Sequence, residues 1–212
     1  MIIGIDEAGR GCIIGPMVIC AAAINPLEEY RLKEMGVRDS KKLSPAQREG
    51  LYGKVGALCK YTTVKITAEE LNVMMGRHNL NEIEAIKIAQ AIDHLGIRGA
   101  TVYVDSPDNV PSKFAHRIGK YVKTRVEIVS ANKADDKYVI VGAASIIAKV
   151  TRDREIEKIK KIAGVDFNSG YTSDAITQRV IANRKDYPAL EPYLRTRWST
   201  LKVEKQRKLG EF

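Results

Sequence analysis

Apolar residues fall in short blocks along the chain, and their spacing changes from block to block. Residues 2–7 (IIGIDE) and 17–24 (MVICAAAI) are apolar runs of strand length separated by a Gly/Pro-containing stretch. They predict two strands paired as an antiparallel hairpin. Residues 61–67 (YTTVKIT) are β-branched and predict a third strand; 101–104 (TVYV) and 125–130 (RVEIVS) predict a fourth and a fifth. Helices announce themselves by their starts. Ser44-Pro45-Ala46-Gln47 combines a capping box with proline at the first helical position, so a helix should run from 45 to 59. Thr67 and Glu70 repeat the box before a short helix. Leu80, Ile83, Ile86 and Ala89–Ala91 recur at helical spacing up to Gly96, which predicts an amphipathic helix over 80–95. A further helix is expected near 112–122, and a long one over 135–162, ended by Gly164, with Ala143-Ala144 small enough for close packing on a sheet.

After Gly164 short helical stretches alternate with Gly170, Pro188 and Pro192, and arginines become frequent. The pattern divides the chain into an α/β core with a mixed sheet over 1–165, a smaller helical segment over 166–205 and a tail over 206–212. Charge then narrows the partners. The 35 Lys and Arg outweigh 26 Asp and Glu, a net charge of +9 that favours polyanions, nucleic acid first. The cysteines (Cys12, Cys20, Cys59) are odd in number and form no C-x-x-C, so buried thiols are expected rather than a disulfide framework or a zinc site. No apolar run reaches membrane-spanning length, and the N-terminus has no basic lead or cleavage site; the expectation is a cytoplasmic protein with no membrane association.

Four acidic positions stand out. Asp6 and Glu7 lie side by side on the first strand, Asp105 ends the apolar strand VYVD, and Asp135 opens the long helix in KADDKY. Carboxylates at strand ends and helix starts can converge on one rim of a sheet, and oxygen-only ligands suit hard Mg²⁺ or Mn²⁺. Such a cation would offset the repulsion between Asp6 and Glu7. Each position also has a plainer reading: Asp135 as an N-cap, Asp105 as the start of the turn at Pro107. Adjacent strand residues point to opposite faces, so Asp6 and Glu7 share a metal only if the strand bends, which Ala8-Gly9 would permit.

Six blocks carry a family resemblance: DEAGRG at 6–11, DSKKLS at 39–44, YVDSPD at 103–108, KADDKY at 133–138, AASIIAKVTRDR at 143–154 and SGYTSD at 169–174. In order and spacing they resemble type 2 ribonuclease H (ribonuclease HII), archaeal branch, over nearly the whole chain. The resemblance implies a ribonuclease H-like fold, a five-stranded mixed sheet flanked by helices with a C-terminal helical segment that grips substrate. It implies an endonuclease for RNA/DNA hybrids and for ribonucleotides embedded in duplex DNA, acting in ribonucleotide and RNA primer removal. Cleavage would fall 5′ of the ribonucleotide and leave 3′-hydroxyl and 5′-phosphate ends. It implies a monomer.

By the same match Asp6, Glu7, Asp105 and Asp135 are the metal-binding catalytic carboxylates, Asp135 being preferred to Asp136 because the family's acidic residue directly follows Lys-Ala. Gly9, Arg10 and Gly11 would read the ribose 2′-hydroxyl, Tyr171 would pack on the same sugar, and Ser40, Lys41 and Lys42 would contact phosphates. Lys149 and Arg152 are weaker candidates, since a charged helix face is the ordinary expectation. The last seven residues, QRKLGEF, place Gln206, Leu209 and Phe212 at the spacing of the short peptide with which repair proteins dock on the sliding clamp, although Glu211 stands where the usual form has its first aromatic. Two other readings compete: a junction resolvase or integrase-like nuclease, which would not need the glycine turn with Tyr171, and a non-catalytic hybrid-binding protein, which would not need four carboxylates.

Overall fold

The computed structural model describes residues 1–37 and 43–198. They form two compact units, 1–8 with 18–65 and 79–151, and 9–17 with 66–78 and 152 onward. Ser40, Lys41 and Lys42, and Gln206, Leu209 and Phe212, lie outside the described residues.

The first unit carries a five-stranded mixed sheet. Its strands are β1 (Ile2–Ala8), β2 (Met17–Ile24), β3 (Lys60–Ile66), β4 (Thr101–Asp105) and β5 (Glu127–Ala131), in the order β3-β2-β1-β4-β5. The hairpin is antiparallel, from Ile2↔Ile24 to Ala8↔Val18; β4 lies parallel to β1 and β5 parallel to β4. Alternate residues of β2 (Val18, Cys20, Ala22, Ile24) join Ile140, Ala143, Ala144 and Ile147 in one core. Those partners belong to a helix, α7 (Val139–Ala163). Gly4 explains how closely that helix approaches: a Cβ there would meet the Ile140 carbonyl carbon at 2.3 Å. Only a residue without a side chain lets the helix backbone sit against β1.

The helical starts formed as the sequence implies. Ser44 and Gln47 close a reciprocal capping box on α2 (Pro45–Leu58), Thr67 caps α3 (Ala68–Met74), and α4 (Leu80–Leu95) ends on Gly96 in the left-handed region, φ 70. The helix expected near 112–122 is α5 (Pro111–Gly119), which packs on β5 and α4. The sequence did not reveal α1 (Glu29–Glu34).

The helix expected over 135–162 is two, α6 (Ala134–Lys137) and α7. Tyr138 between them is extended (φ −121, ψ 113), and its ring stacks on Tyr103 with centroids 4.0 Å apart. That aromatic contact outweighs helix propensity at one residue.

The second unit has its own core of Ile13, Ile14, Ile156, Ile159, Phe167, Val180, Ile181, Leu190 and Leu194, contributed in part by α8 (Ala175–Ala182). It takes in 9–17 and 66–78 as well as the chain from 152 onward. The 9–17 loop belongs to it because backbone hydrogen bonds tie them together. Ile13 N–H donates to the Gly170 carbonyl (2.8 Å), Gly15 N–H to Tyr193 (2.9 Å), and Arg195 N–H to Ile13 (2.9 Å). Asn72 Nδ2 likewise donates to the Leu194 carbonyl at 2.8 Å. The cysteines are unlinked and buried, as expected. Among the described residues no helix is long and apolar enough to cross a membrane.

Candidate active site

The first unit brings three acidic residues to the carboxyl ends of its parallel strands, where open α/β sheets place their ligands. β1 and β4 are in register at Ile5↔Val104, so the next step sets Asp6 beside Asp105. Asp105 Oδ1 accepts a 2.7 Å hydrogen bond from Ala134 N–H, which fixes the start of α6 against the end of β4 and holds Asp135 one residue away. Lys133, just before, is a non-glycine residue in the left-handed region, φ 54. Such a conformation costs on the order of 1–2 kcal/mol and persists where the surroundings enforce it. Asp135 is buried and Asp136 exposed, a difference the sequence does not reveal.

Asp6 is held in a perturbing environment. Burial pushes its carboxyl up to about 6, and the charge of Asp105 pushes the same way; a hydrogen bond from Ser145, the charge of Lys149 and the Glu7 amide oppose the rise. Ser145 is fully buried on α7, and Lys149, one turn later, donates to its Oγ at 2.7 Å. The one signal for Ser145 in the sequence is its spacing from Lys149, i and i+4 on one helix.

Glu7 behaves differently. The β1–β2 ladder continues without a bulge through Ala8↔Val18, so Asp6 and Glu7 leave the strand on opposite faces. The bend that the sequence suggested starts at Gly9, φ +81. Among the described residues no three His, Cys, Asp or Glu side chains close into a cluster that could hold a metal ion. The all-oxygen donors still fit Mg²⁺ or Mn²⁺, which bind through one or two carboxylates and take their remaining ligands from water and substrate phosphate. A cation would also relieve the buried charge on Asp6.

The second unit assembles the other predicted group. Gly9, Arg10 and Gly11 form a turn in which a Cβ on Gly9 would stand 2.6 Å from the Pro16 carbonyl oxygen, and one on Gly11 would meet the Tyr171 ring at 3.9 Å. Cys12 pairs with Tyr171 in an isolated antiparallel bridge. Arg152 is buried, lies 5.1 Å over the Tyr171 ring, donates to Cys12 Sγ at 3.0 Å, and also donates to the Ser169 carbonyl. Burial pushes the Tyr171 hydroxyl up to about 12, which keeps it protonated at any physiological pH. Arg152 is therefore a support of Tyr171, a role that an ordinary charged helix face would not have. In the sequence Arg195 is one of several basic residues after Gly164, with nothing to set it apart. It is fully buried, and an isolated arginine in a basic segment carries no spacing signal. All three histidines, His78, His94 and His116, are exposed.

Comparison with known proteins gives this geometry its relatives. Residues 3–201 match the family described as ribonuclease HII. Ribonuclease HII of Pyrococcus horikoshii is 44% identical over 206 residues, covering 96% of this chain and 92% of that protein. The crystal structure of the ribonuclease H2 of P. horikoshii superimposes with a TM-score of 0.87 at 43% identity, covering 97% of each chain. The structure of the PCNA:RNase HII complex from Archaeoglobus fulgidus gives a TM-score of 0.85 at 41% identity, covering 94% of this chain and 95% of that one. The fold is the ribonuclease H-like fold that the sequence implied, and the chain belongs to the ribonuclease HII family of endoribonucleases.

Proposed function

We propose that the chain cuts RNA strands of RNA/DNA hybrids, and cuts on the 5′ side of ribonucleotides embedded in duplex DNA, leaving 3′-hydroxyl and 5′-phosphate ends. The observation that carries this reading is the placement of Asp6 beside Asp105 at the carboxyl ends of parallel strands, with Asp6 buried and its charge disfavoured. Asp6, Asp105 and Asp135 hold divalent cations, Mg²⁺ or Mn²⁺. Glu7 completes the set by its match to the family's motif rather than by strand geometry. The chemistry divalent cations supply at such a site is a nucleophilic water and neutralisation of charge on the leaving 3′-oxygen. The protein's own part is placement: the Ala134 amide orients Asp105, and the Lys149–Ser145 pair orients Asp6. No serine, cysteine or histidine nucleophile is needed. On this reading, which rests on the family resemblance, the chain is a cytoplasmic monomer that acts in ribonucleotide and RNA primer removal.

Gly9, Arg10 and Gly11 read the 2′-hydroxyl, the one local feature besides duplex shape that separates RNA from DNA. Tyr171 packs on that sugar, and Ser40, Lys41 and Lys42 contact phosphates. On this reading Tyr171→Ala should lower cleavage at a single ribonucleotide by about 10- to 100-fold, the scale of losing one positioning contact. Duplex affinity should fall far less, because phosphate contacts supply most of it and weaken steeply with salt. Single-turnover rates and binding titrations on the same duplex check this. A Tyr171→Ala protein that cuts as fast as wild type ends the recognition role.

The tail docks on a sliding clamp through Gln206, Leu209 and Phe212, which one helical turn would present to an apolar groove and a polar pocket. Support comes from the A. fulgidus relative, whose solved complex is with PCNA. Deleting residues 206–212 should leave cleavage of short duplexes unchanged and remove heat on titration with the clamp of the same organism. Equal clamp affinity for the full-length and truncated chains would refute the docking role.

A further inference from the structure

Among the described residues Arg195 is the largest fully buried side chain. Burying a guanidinium is costly unless its donors are satisfied and aimed. Here its three nitrogens all meet main-chain carbonyls of one loop. Nη2 donates to Gly9 O at 2.6 Å, Nη1 to Arg10 O at 2.9 Å and Nε to Gly15 O at 3.0 Å. The residue is itself pinned: its amide donates to Ile13 O at 2.9 Å, and its guanidinium carbon lies 5.0 Å from the centre of the Trp198 ring. Burial lowers its pKa to about 10, so the group stays charged at neutral pH.

The consequence follows from peptide geometry. The chain has no cis peptide bonds among the described residues, and in a trans peptide the C=O and the following N–H point in opposite directions. Drawing the Gly9 and Arg10 carbonyls onto one guanidinium turns the amides of Arg10 and Gly11 away from it. Gly9 tolerates this because its φ of +81 suits only a residue without a side chain. Gly11 is exposed, so the outward side of the turn meets solvent. The positive charge behind the carbonyls also polarises both peptide groups in the sense that strengthens their N–H donors.

We infer that Arg195 is the positioning residue of the sugar-reading turn: by clamping the Gly9, Arg10 and Gly15 carbonyls it aims the Arg10 and Gly11 amides at the ribose and so sets the preference for a ribonucleotide over a deoxyribonucleotide. This rests on the reading of Gly9–Arg10–Gly11 given above. Lysine cannot replace it, since one ammonium on a flexible stem does not span three carbonyls in a planar fork.

The test uses full-length Arg195→Lys and Arg195→Gln with two duplexes of one sequence, one containing a single ribonucleotide and one all DNA. The wild type should prefer the first. In both variants kcat on the ribonucleotide duplex should fall about 10- to 100-fold, Gln more than Lys, as expected for a misplaced contact. KM should change less than about threefold, because the phosphate contacts remain. The affinity ratio between the two duplexes should also shrink toward one. A structural role alone would lower the active fraction and leave both KM and the affinity ratio unchanged. A folded Arg195→Lys with wild-type kcat and wild-type ratio overturns the inference while leaving the turn's role standing. A wild type without preference between the duplexes overturns both. Should the variants unfold, hydrogen exchange on the unaltered protein decides: the Arg10 and Gly11 amides should be slowed by the ribonucleotide duplex and not by the all-DNA duplex, and equal exchange in both overturns the inference.

Discussion

Asp105→Asn should lose about a thousandfold or more in turnover on a duplex with one ribonucleotide, the scale of removing a charged group from the reacting centre, with its thermal midpoint held or raised. The carboxylate stands beside Asp6 on the rim and takes its orientation from Ala134 N–H at 2.7 Å. Asparagine keeps an oxygen for that bond, so the α6 start should persist, but it removes the negative charge that a hard cation needs. Removing one of two neighbouring like charges also eases repulsion when the assay holds no divalent cation. The contrast within KADDKY is the sharper part. Asp135 is buried at the rim and Asp136 is exposed, so Asp135→Asn should behave like Asp105→Asn and Asp136→Asn should stay within about threefold of wild type. Single-turnover assays with calorimetric midpoints measure both. Near-normal cleavage by a folded Asp105→Asn protein, or equal loss at Asp135 and Asp136, would contradict the assignment.

Asp6→Asn should stabilise the protein in chelator at pH 7.5, by up to about 3 kcal/mol at 1.36 kcal/mol per pKa unit. The folded carboxyl sits at about 6 against an ordinary value of 3.8, chiefly because it is buried. The folded state thus holds the proton more tightly than the unfolded one. Asp6 favours the fold most below pH 3.8, and that contribution is lost as pH rises through 3.8 to about 6. Above 6 the ionised group is a standing cost in the absence of a cation. Asparagine carries no such cost, so the variant's advantage should be several degrees in Tm at pH 7.5 and should fade by pH 4. Saturating Mg²⁺ should raise the midpoint of wild type and shift Asp6→Asn much less. A variant that melts lower than wild type at pH 7.5 in chelator would show that Asp6 is held by its partners rather than strained by burial.

Most elements that hold the rim were legible in the sequence, because local signals fix them. Alternating or continuous apolar runs set the five strands, and Ser44, Thr67 and Gly96 set helix ends through bonds that close within a few residues. What the sequence hid was decided across long separations. Tyr138 leaves the helix to stack on Tyr103, 35 positions earlier, which no window around KADDKY can report. Asp6 and Asp105 become neighbours only through parallel pairing of β1 with β4. The candidate carboxylates stand out because acidic residues ending apolar strands are anomalous. Ser145 and Arg195 do not, because a serine in an apolar helix and an arginine in a basic segment look ordinary until their partners, Asp6 and the Gly9–Gly15 carbonyls, are brought to them. Asp6 and Glu7 share one cation only if the strand bends between them, and the β1–β2 ladder runs unbroken to Ala8.

The central claim is that the carboxylate rim performs divalent-dependent hydrolysis at a ribonucleotide. One assay tests it most directly: an end-labelled DNA duplex containing a single ribonucleotide, incubated with the protein in Mg²⁺ or Mn²⁺ and in chelator, with the products mapped to the nucleotide. The account predicts one cut on the 5′ side of the ribonucleotide, 3′-hydroxyl and 5′-phosphate ends, no product in chelator and none from the all-DNA duplex. Undiminished cutting in chelator, or equal cutting of the all-DNA duplex, would contradict it.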